Sequence, residues 1–265
     1  MEPASPEDLV ALVRAAARLS VPVTVLGRGT NVLVADRGIS GLTIRMDQAL
    51  GRIETGERFI RAGAGARLAA AAGEAAARGL AGLAFCATIP GSVGGALVTN
   101  AGAFDHCLSE VVREVTVVDR AGRVSVLAGP ALRFAYRTSI FKEEPLVAVE
   151  ACFDLREGDP ELIRREMDEY LAHRRQTQPL DYPSAGSVFK NPPGAFAGRL
   201  IEEAGAKGLS RGGAMVSPRH ANFIVNTGGA TAADVWGLIN TVREMVLRKS
   251  GVELALEVQT VGDWE

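Results

Sequence analysis

The apolar residues of this chain recur in two periods, one typical of amphipathic helices and one typical of strands. A first helix is predicted to begin after Ser5, which can cap it, with Pro6 at the first helical position and Asp8 three residues after the cap. Further helices are predicted over residues 67–78, 159–175 and 196–204, and a long last helix is predicted to open at Thr231.

Strands are predicted between these helices. Residues 111–119 and 123–127 alternate well and flank Arg120-Ala-Gly122, which indicates a hairpin. The other predicted strands are residues 22–26, 32–34, 41–46, 59–62, 146–155, 187–189, 222–226 and 252–261. This mixture of elements predicts an α+β fold class.

The chain has the composition of an ordinary globular protein, with 265 residues of which 47% are hydrophobic and 23% are charged. This length suggests one large domain or two modest ones. Because Gly158-Asp-Pro160 interrupts the predicted elements, we expect a boundary that divides residues 1–157 from residues 158–265.

Charge and cysteine usage exclude several classes of protein. The formal net charge is −2 without a basic face, so no nucleic-acid partner is expected. No apolar run approaches a membrane span, and the acidic N-terminus lacks a signal pattern. The three cysteines form no CxxC pair and the three histidines are scattered, so we expect no metal site and a reducing cytoplasmic location.

The densest glycine run is Ile89-Pro-Gly-Ser-Val-Gly-Gly-Ala96, followed closely by Asn100-Ala-Gly102. Glycine lets backbone N–H groups approach a ligand because no Cβ stands in the way. Successive free N–H groups can bind an anion such as a diphosphate. The run therefore predicts a bound phosphate cofactor, and the structural alternative is a tight turn leading into a helix.

An earlier loop, Gly27-Arg-Gly-Thr-Asn31, begins like the dinucleotide fingerprint G-x-G-x-x-G. The third glycine is missing, and strand-like residues 32–34 follow where a helix should begin, so we reject a Rossmann fold. We expect instead a strand, a turn that lies on the cofactor, and a second strand. A plain tight hairpin is the structural alternative.

Five motifs occur in one order along the chain, and together they closely resemble the UDP-N-acetylenolpyruvoylglucosamine reductase family from about residue 20 to the C-terminus. They are Val25-Leu-Gly-Arg-Gly-Thr-Asn-Val-Leu-Val34, the 89–96 run with Asn100-Ala-Gly-Ala103, Phe134-Ala-Tyr-Arg-Thr-Ser139, Gly186-Ser-Val-Phe-Lys-Asn-Pro192 and Leu256-Glu-Val258.

The resemblance implies a non-Rossmann FAD-binding fold of the vanillyl-alcohol-oxidase (PCMH) type plus a C-terminal α+β substrate domain. The FAD-binding part, residues 1–157, would comprise two α+β subdomains, residues 1–46 and 47–157, and residues 158–265 would form the substrate domain. Longer members insert a segment with a substrate-covering tyrosine between the arginine and serine motifs. Here only about fifty residues separate Arg137 from Ser187, which implies the compact (type II) subtype.

The resemblance also implies non-covalent FAD, with NADPH as hydride donor. The residues implied in cofactor binding are Gly27, Arg28, Gly29, Thr30, Asn31, Pro90, Gly91, Ser92, Val93, Gly94, Gly95, Asn100 and Gly102. The implied reaction reduces UDP-N-acetylglucosamine enolpyruvate to UDP-N-acetylmuramate in peptidoglycan synthesis, and a monomer is expected.

Three residues carry the implied catalysis. Arg137 matches a carboxylate-binding arginine, since a guanidinium can donate two parallel hydrogen bonds to a carboxylate. Ser187 matches the proton donor, and Glu257 matches a catalytic acid. By pattern alone, Arg137 is more readily a surface arginine and Ser187 a turn serine, whereas Glu257 is equally a solvent-facing strand residue.

A further set of residues is expected to contact substrate, namely Tyr136, Lys190, Asn191 and His220. Arg174 and Arg175 could meet the UDP diphosphate, although a solvated helix end explains them equally well. Two rival functions stay open. One is an oxidase on the same flavin fold, and the other is a non-catalytic flavin- or nucleotide-binding module.

Overall fold

The computed structural model describes residues 1–46 and 48–264, with the side chain of Gln48 excepted. Its helices are α1 (Pro6–Arg18), α2 (Leu68–Ala77), α3 (Val93–Val98), α4 (Pro160–Thr177), α5 (Ala197–Glu203) and α6 (Ala232–Ser250). The expected subdomain boundary at residue 47 and the last residue, 265, lie outside the described residues.

The strands in chain order are β1 (Val23–Leu26), β2 (Val32–Val34), β3 (Leu42–Arg45), β4 (Ile53–Thr55), β5 (Phe59–Gly63), β6 (Leu80–Ala81), β7 (Gly102–Ala103), β8 (His106–Cys107), β9 (Val112–Val118), β10 (Val124–Ala128), β11 (Val147–Asp154), β12 (Arg156–Glu157), β13 (Ser184–Ser187), β14 (Ser210–Arg211), β15 (Ala214–Val216), β16 (Phe223–Asn226) and β17 (Gln259–Val261). The predicted α+β class is therefore confirmed.

The chain divides into two compact units. The first holds Met1–Arg28 and Gly41–His173, and the second holds Gly29–Ser40 and the chain from Arg174 onward. The chain thus passes from the first unit to the second within the glycine loop after β1, and again within α4. This division by contacts differs from the expected boundary at residues 157 and 158, which concerns functional domains and stays a prediction.

The first unit is built on a five-stranded antiparallel sheet in the order β10-β9-β11-β5-β4. Strand β9 buries Val115 and Val117 on alternate positions, as a half-buried strand should. Helix α2 buries five side chains, four of them alanines, so that its backbone can approach its neighbours closely. The predicted hairpin is confirmed, because Val118 of β9 pairs with Val124 of β10.

The second unit has an antiparallel sheet in the order β13-β16-β15-β14, beside a parallel pair of β2 and β17. Its core includes Leu238, Ile239, Val242 and Val246 of α6. These positions recur at helical spacing, so one face of α6 is buried.

Two predicted strands were wrong in their bounds. The expected strand 187–189 ends at Ser187, and the expected strand 252–261 is reduced to β17 with a single bridge between Phe189 and Leu256. The reason is local: the N–H groups of Glu257 and Val258 both donate to the Val188 carbonyl, which breaks the regular ladder between the two segments.

Candidate active site

The loop at residues 27–31 is not the tight hairpin considered from its sequence. Strand β1 pairs in parallel with β3, whereas β2 pairs in parallel with β17, so the strands that flank the loop belong to different sheets. Gly27 lies against the second glycine loop, because a Cβ placed on it would overlap Ser92 Oγ. Within the first unit, the structure therefore brings Gly27 and the 89–96 loop together.

The 89–96 loop leads into α3, with Ser92 as the N-cap whose Oγ accepts from Gly95 N at 3.3 Å. Three other amides are also used within the protein: Gly91 N donates to Ile89 O, Val93 N to Ala66 O and Gly94 N to Ala64 O, all at 2.9 Å. The expected row of free N–H groups is therefore absent at these four positions. Their hydrogen bonds fix the shape of the loop instead.

The loops still fit a cofactor that lies on exposed backbone. A Cβ added to exposed Gly95 would contact only Ser92 Oγ, at 3.4 Å, and at Gly29 it would meet no heavy atom of the described chain within 4 Å. Gly29 has φ +68°, a conformation that glycine adopts without steric cost. These bare surfaces, each within its own unit, are compatible with the close approach of FAD.

Asn100 and Gly102 continue the first-unit site. Asn100 is buried with φ +43°, and its amide group donates to Ala135 O at 3.2 Å and accepts from Ser109 N at 2.9 Å. Its side chain therefore ties two loops together. Gly102 accepts a hydrogen bond from the Arg137 guanidinium at 3.1 Å.

Arg137 lies in a tight turn closed by reciprocal hydrogen bonds between Ala135 and Thr138. Its φ of +56° is sparsely populated for a residue with a side chain and costs on the order of 1 kcal/mol or more. The guanidinium lies 5.4 Å from the centre of the Tyr136 ring, and that ring is 55% exposed. The turn therefore holds a cation over an accessible aromatic surface.

In the second unit, Ser187 ends β13 opposite Phe223 of β16. The register shifts between Ser184 and Ser187, and Gly186 has φ +76°, so the strand bulges just before the serine. Such bulges re-aim a side chain. A Cβ on Gly186 would lie 3.6 Å from Thr30 O, which places this bulge beside the 29–31 loop segment of the same unit.

Glu257 is half-buried, and the backbone brings it close to the residue after Ser187. Its N–H donates to Val188 O at 2.8 Å, and its carbonyl accepts from the Asn31 side chain at 3.2 Å. Ser187, Glu257 and Asn31 are therefore gathered in one place. Asn31 was expected to bind cofactor, and the structure shows that its amide also holds the Glu257 segment.

The four expected substrate residues have different surroundings. Asn191 Oδ1 accepts from Ala197 N at 3.0 Å and so caps α5, while Lys190 N donates to Ala255 O. Burial, and to a lesser extent Lys207, lowers the pKa of His220, whose Nδ1 accepts from Asn222 N at 3.3 Å. Tyr136 lies in the other unit.

The two arginines left open differ in burial. Arg174 is half-buried, burial lowers its pKa, and its Nε donates to Gln178 at 2.9 Å. Arg175 is exposed. The first is therefore held beside its own helix end, whereas the second has the exposure of a solvated residue.

Sequence reasoning missed Asn222, which is only 4% exposed. Its amide exchanges two hydrogen bonds with the backbone of Phe189. The available signal was a polar residue at the start of the apolar run Phe-Ile-Val, where a buried amide needs a partner.

No helix in the described part of the chain combines the length and apolarity that crossing a membrane requires.

In the comparisons with known proteins, two family models match different parts of the chain. A family model described as an FAD binding domain matches residues 1–128, and one described as the C-terminal domain of UDP-N-acetylenolpyruvoylglucosamine reductase matches residues 178–261.

Whole-length relatives point the same way. UDP-N-acetylenolpyruvoylglucosamine reductase of Heliobacterium modesticaldum is 48% identical over 98% of this chain and 83% of its own length. The same enzyme of Desulforamulus reducens is 46% identical over 99% and 87%. The crystal structure of this reductase from Thermus caldophilus matches with a TM-score of 0.86 and 36% identity, covering 98% of this chain and 91% of that one.

These findings, with the antiparallel sheet of the first unit, define a flavoprotein with a non-Rossmann FAD-binding domain followed by a C-terminal α+β domain. Within that class, the chain belongs to the UDP-N-acetylenolpyruvoylglucosamine reductase family.

Proposed function

We propose that this chain reduces UDP-N-acetylglucosamine enolpyruvate to UDP-N-acetylmuramate, with NADPH as hydride donor, in the synthesis of peptidoglycan precursors. The observation that carries the proposal is the gathering of Ser187 and Glu257 around the Val188 carbonyl, inside the segment matched by the reductase C-terminal model. These backbone hydrogen bonds bring the Ser187 and Glu257 segments side by side, and a hydroxyl and a carboxyl on neighbouring segments suit a proton-transfer step.

The proposed cofactor residues are those of the two glycine loops, with the 89–96 loop in the first unit and residues 29–31 in the second. When bound, FAD supplies a carrier that accepts a hydride from NADPH and delivers it to a carbon–carbon double bond. The chain contributes bare glycine backbone for contact, together with a loop shape that internal hydrogen bonds fix in advance.

Arg137 would bind the carboxylate of the enolpyruvyl group. As hydride adds to the carbon distal to that carboxylate, negative charge accumulates on the carboxylate as an enolate. A fixed guanidinium stabilises this charge because its position is set before the reaction begins. The hydrogen bond to Gly102 and the stacking on Tyr136 support that fixed position.

Ser187 would donate the proton to the carbon next to the carboxylate. A serine hydroxyl is a weak acid, so it can act only when it is well placed beside a strongly basic enolate. Glu257 would hydrogen-bond toward the same carboxylate as a catalytic acid.

Tyr136, Lys190, Asn191 and His220 would contact the substrate elsewhere. The compact subtype, the monomeric state and the cytoplasmic location stay predictions. The cytoplasm is supported by Cys86, Cys107 and Cys152, which are all free thiols.

The proposal is tested by supplying the flavin-loaded enzyme with NADPH and the enolpyruvyl sugar nucleotide. We expect NADPH consumption in proportion to the sugar nucleotide added, and a product two mass units heavier than the substrate. A flavin-loaded enzyme that consumes NADPH only by reducing oxygen would instead support the oxidase reading. Absence of any turnover would support a binding module.

A further inference from the structure

Asn222 forms a clamp on the residues that follow Ser187. Its side-chain Nδ2 donates to Phe189 O at 2.8 Å, and its Oδ1 accepts from Phe189 N at 3.0 Å. Its own backbone carbonyl accepts from Val188 N at 2.9 Å. Three hydrogen bonds from one buried residue therefore fix the backbone immediately after the serine.

The clamp extends to Glu257 through one shared peptide, the one between Val188 and Phe189. The Val188 carbonyl accepts from Glu257 N at 2.8 Å and from Val258 N at 3.2 Å. The peptide that Asn222 holds is thus the same peptide against which the Glu257 segment is placed. A shift of Val188 would move Ser187 and Glu257 relative to each other.

The chemistry of this position requires a primary amide. Phe189 presents one N–H donor and one C=O acceptor to the same side chain, and both are buried. An amide supplies the matching acceptor and donor, whereas a carboxylate only accepts and an aliphatic side chain does neither. A buried polar group without a partner is strongly disfavoured, so the pairing defines one backbone position.

We propose that Asn222 is a positioning residue for the proton-transfer step, because its amide fixes the backbone that joins the Ser187 and Glu257 segments. This inference rests on the proposed function. Asn222 itself touches neither substrate nor cofactor in this account and acts only through Val188 and Phe189.

The test is Asn222→Asp in the FAD-loaded enzyme. The variant keeps the shape and the acceptor but loses the donor to Phe189 O when the new carboxyl is ionised. At pH 8 we expect flavin reduction by NADPH to stay within about twofold of wild type. Reoxidation by the sugar nucleotide should slow by about ten- to a hundredfold, as expected for a small misplacement of reacting groups.

The pH dependence of the reoxidation rate distinguishes a positioning role of Asn222 from general damage to the structure. Burial raises the pKa of the introduced carboxyl, and its protonated form can again donate to Phe189 O. The reoxidation rate of Asn222→Asp, relative to wild type at the same pH, should therefore recover as the pH falls from 8 to 6. The titratable groups near the clamp are His220, with Lys207 beside it, and Glu257, so each rate is compared with wild type at the same pH.

Asn226→Asp is the matched control, because it makes the same change at the other end of β16. Toward the described part of the chain, Asn226 uses only its Oδ1, which accepts from Gly228 N and Ala230 N, and aspartate keeps that acceptor. In Asn226→Asp, the rates of flavin reduction and reoxidation should both match wild type at every pH.

Amide hydrogen exchange supplies a readout that does not depend on turnover. In wild type, the Val188, Phe189 and Glu257 amides should be strongly protected, and Asn222→Asp at pH 8 should lose that protection while α6 keeps its own. Fast exchange of these amides in the wild-type protein would overturn the clamp without any variant.

Four other results would also contradict the inference. Equal slowing of both half-reactions, or a deficit that does not change with pH, would leave Asn222 with a structural role only. Normal reoxidation in Asn222→Asp would remove any role. A wild-type enzyme that NADPH reduces but the sugar nucleotide does not reoxidise would overturn the proposed function itself, and the role of Asn222 in that step with it.

Discussion

Gly186 gives Ser187 its position at the end of β13. Its φ of +76° lets the strand bulge, and the serine then pairs opposite Phe223 rather than continuing the regular register. A residue with a Cβ would resist this backbone conformation. The glycine before the serine thus shapes the backbone on which Ser187 lies, although it carries no functional group.

Ser187→Ala should separate the two halves of the proposed reaction. Flavin reduction by NADPH should proceed at about the wild-type rate, while reoxidation by the sugar nucleotide should fall by a factor of about 10² or more, because the proton donor is gone. Rapid-mixing absorbance of the flavin measures both steps. Ser184→Ala, an exposed position on the same strand, serves as control, and a normal second step in Ser187→Ala would refute the donor role.

Gly27→Ala should destabilise the first unit, because the added methyl would overlap Ser92 Oγ, which is already bonded to Gly95 N. Overpacking of this kind costs about 1–3 kcal/mol of unfolding free energy. Gly73→Ala is the opposite case, since Gly73 lies inside α2 and a Cβ there meets no atom of the described chain within 4 Å.

Because the new methyl group clashes with none of the described residues and alanine favours a helix, Gly73→Ala should raise the unfolding free energy by about 0.5–1 kcal/mol. Urea denaturation of both variants beside wild type measures the two changes. If Gly27→Ala proved as stable as Gly73→Ala, the close packing of the two glycine loops would be wrong.

Individual site residues were readable from sequence only where a motif named them. Ser187 and Glu257 stand in matched motifs and their roles stay predictions, although Glu257 N donates to the carbonyl of the residue after Ser187. The cap that Asn191 provides to α5 and the clamp of Asn222 on Phe189 were not readable. Both depend on where a side chain finds its partner after folding, and a polar residue in a sequence does not show that partner.

At the scale of elements, α6 shows how distant parts of the chain complete one helix. Thr231, where the sequence predicts that this helix opens, caps it: Thr231 Oγ1 accepts from Asp234 N at 3.0 Å. The next two amides, of Ala232 and Ala233, donate to the Asp36 carboxylate at 2.7 and 2.9 Å. The first turn of α6 therefore has its N–H groups satisfied by two segments 196 residues or more apart.

Asp36→Ala should lower the unfolding free energy by about 1–2 kcal/mol, because two helix N-terminal donors lose their acceptor and a favourable charge is removed. Asp36→Asn keeps one acceptor oxygen and should lose less. Urea denaturation midpoints of the two variants give the comparison. Equal stability of Asp36→Ala and wild type would show that solvent caps the helix as well as Asp36 does.

Periodic elements were predicted well, whereas irregular ones were not. The helices at 159–175 and 196–204 were observed as α4 and α5 with ends shifted by one or two residues. The expected strand 252–261 failed because its apolar alternation reflects packing of Leu254 and Val258 into the core, with no partner ladder along most of its length. Burial and strand pairing produce the same sequence pattern, so the pattern cannot separate them.

At the scale of the whole molecule, the two units are not separated by a single boundary in the sequence. Residues 29–40 belong with the C-terminal unit although they lie early in the sequence, because β2 pairs with β17 and Asp36 caps α6. A linear reading predicts a single boundary, since it follows chain order. Only long-range pairing assigns this segment, and that pairing leaves no local signal.

The proposed function consists of two reductions in sequence: NADPH reduces the flavin, and the reduced flavin then reduces the sugar nucleotide. It requires Arg137, Ser187 and Glu257 to act on a single sugar nucleotide, and it requires the flavin to be reduced by NADPH before that nucleotide reacts. The two alternative functions, an oxidase and a binding module, each lack at least one of these steps.

The most direct measurement is anaerobic. Purified, FAD-loaded enzyme is titrated with NADPH until the flavin absorbance bleaches, and the enolpyruvyl sugar nucleotide is then added without oxygen. The account predicts full recovery of the oxidised flavin spectrum with one equivalent of UDP-N-acetylmuramate formed per flavin. A bleached flavin that stays bleached until oxygen is admitted would contradict it.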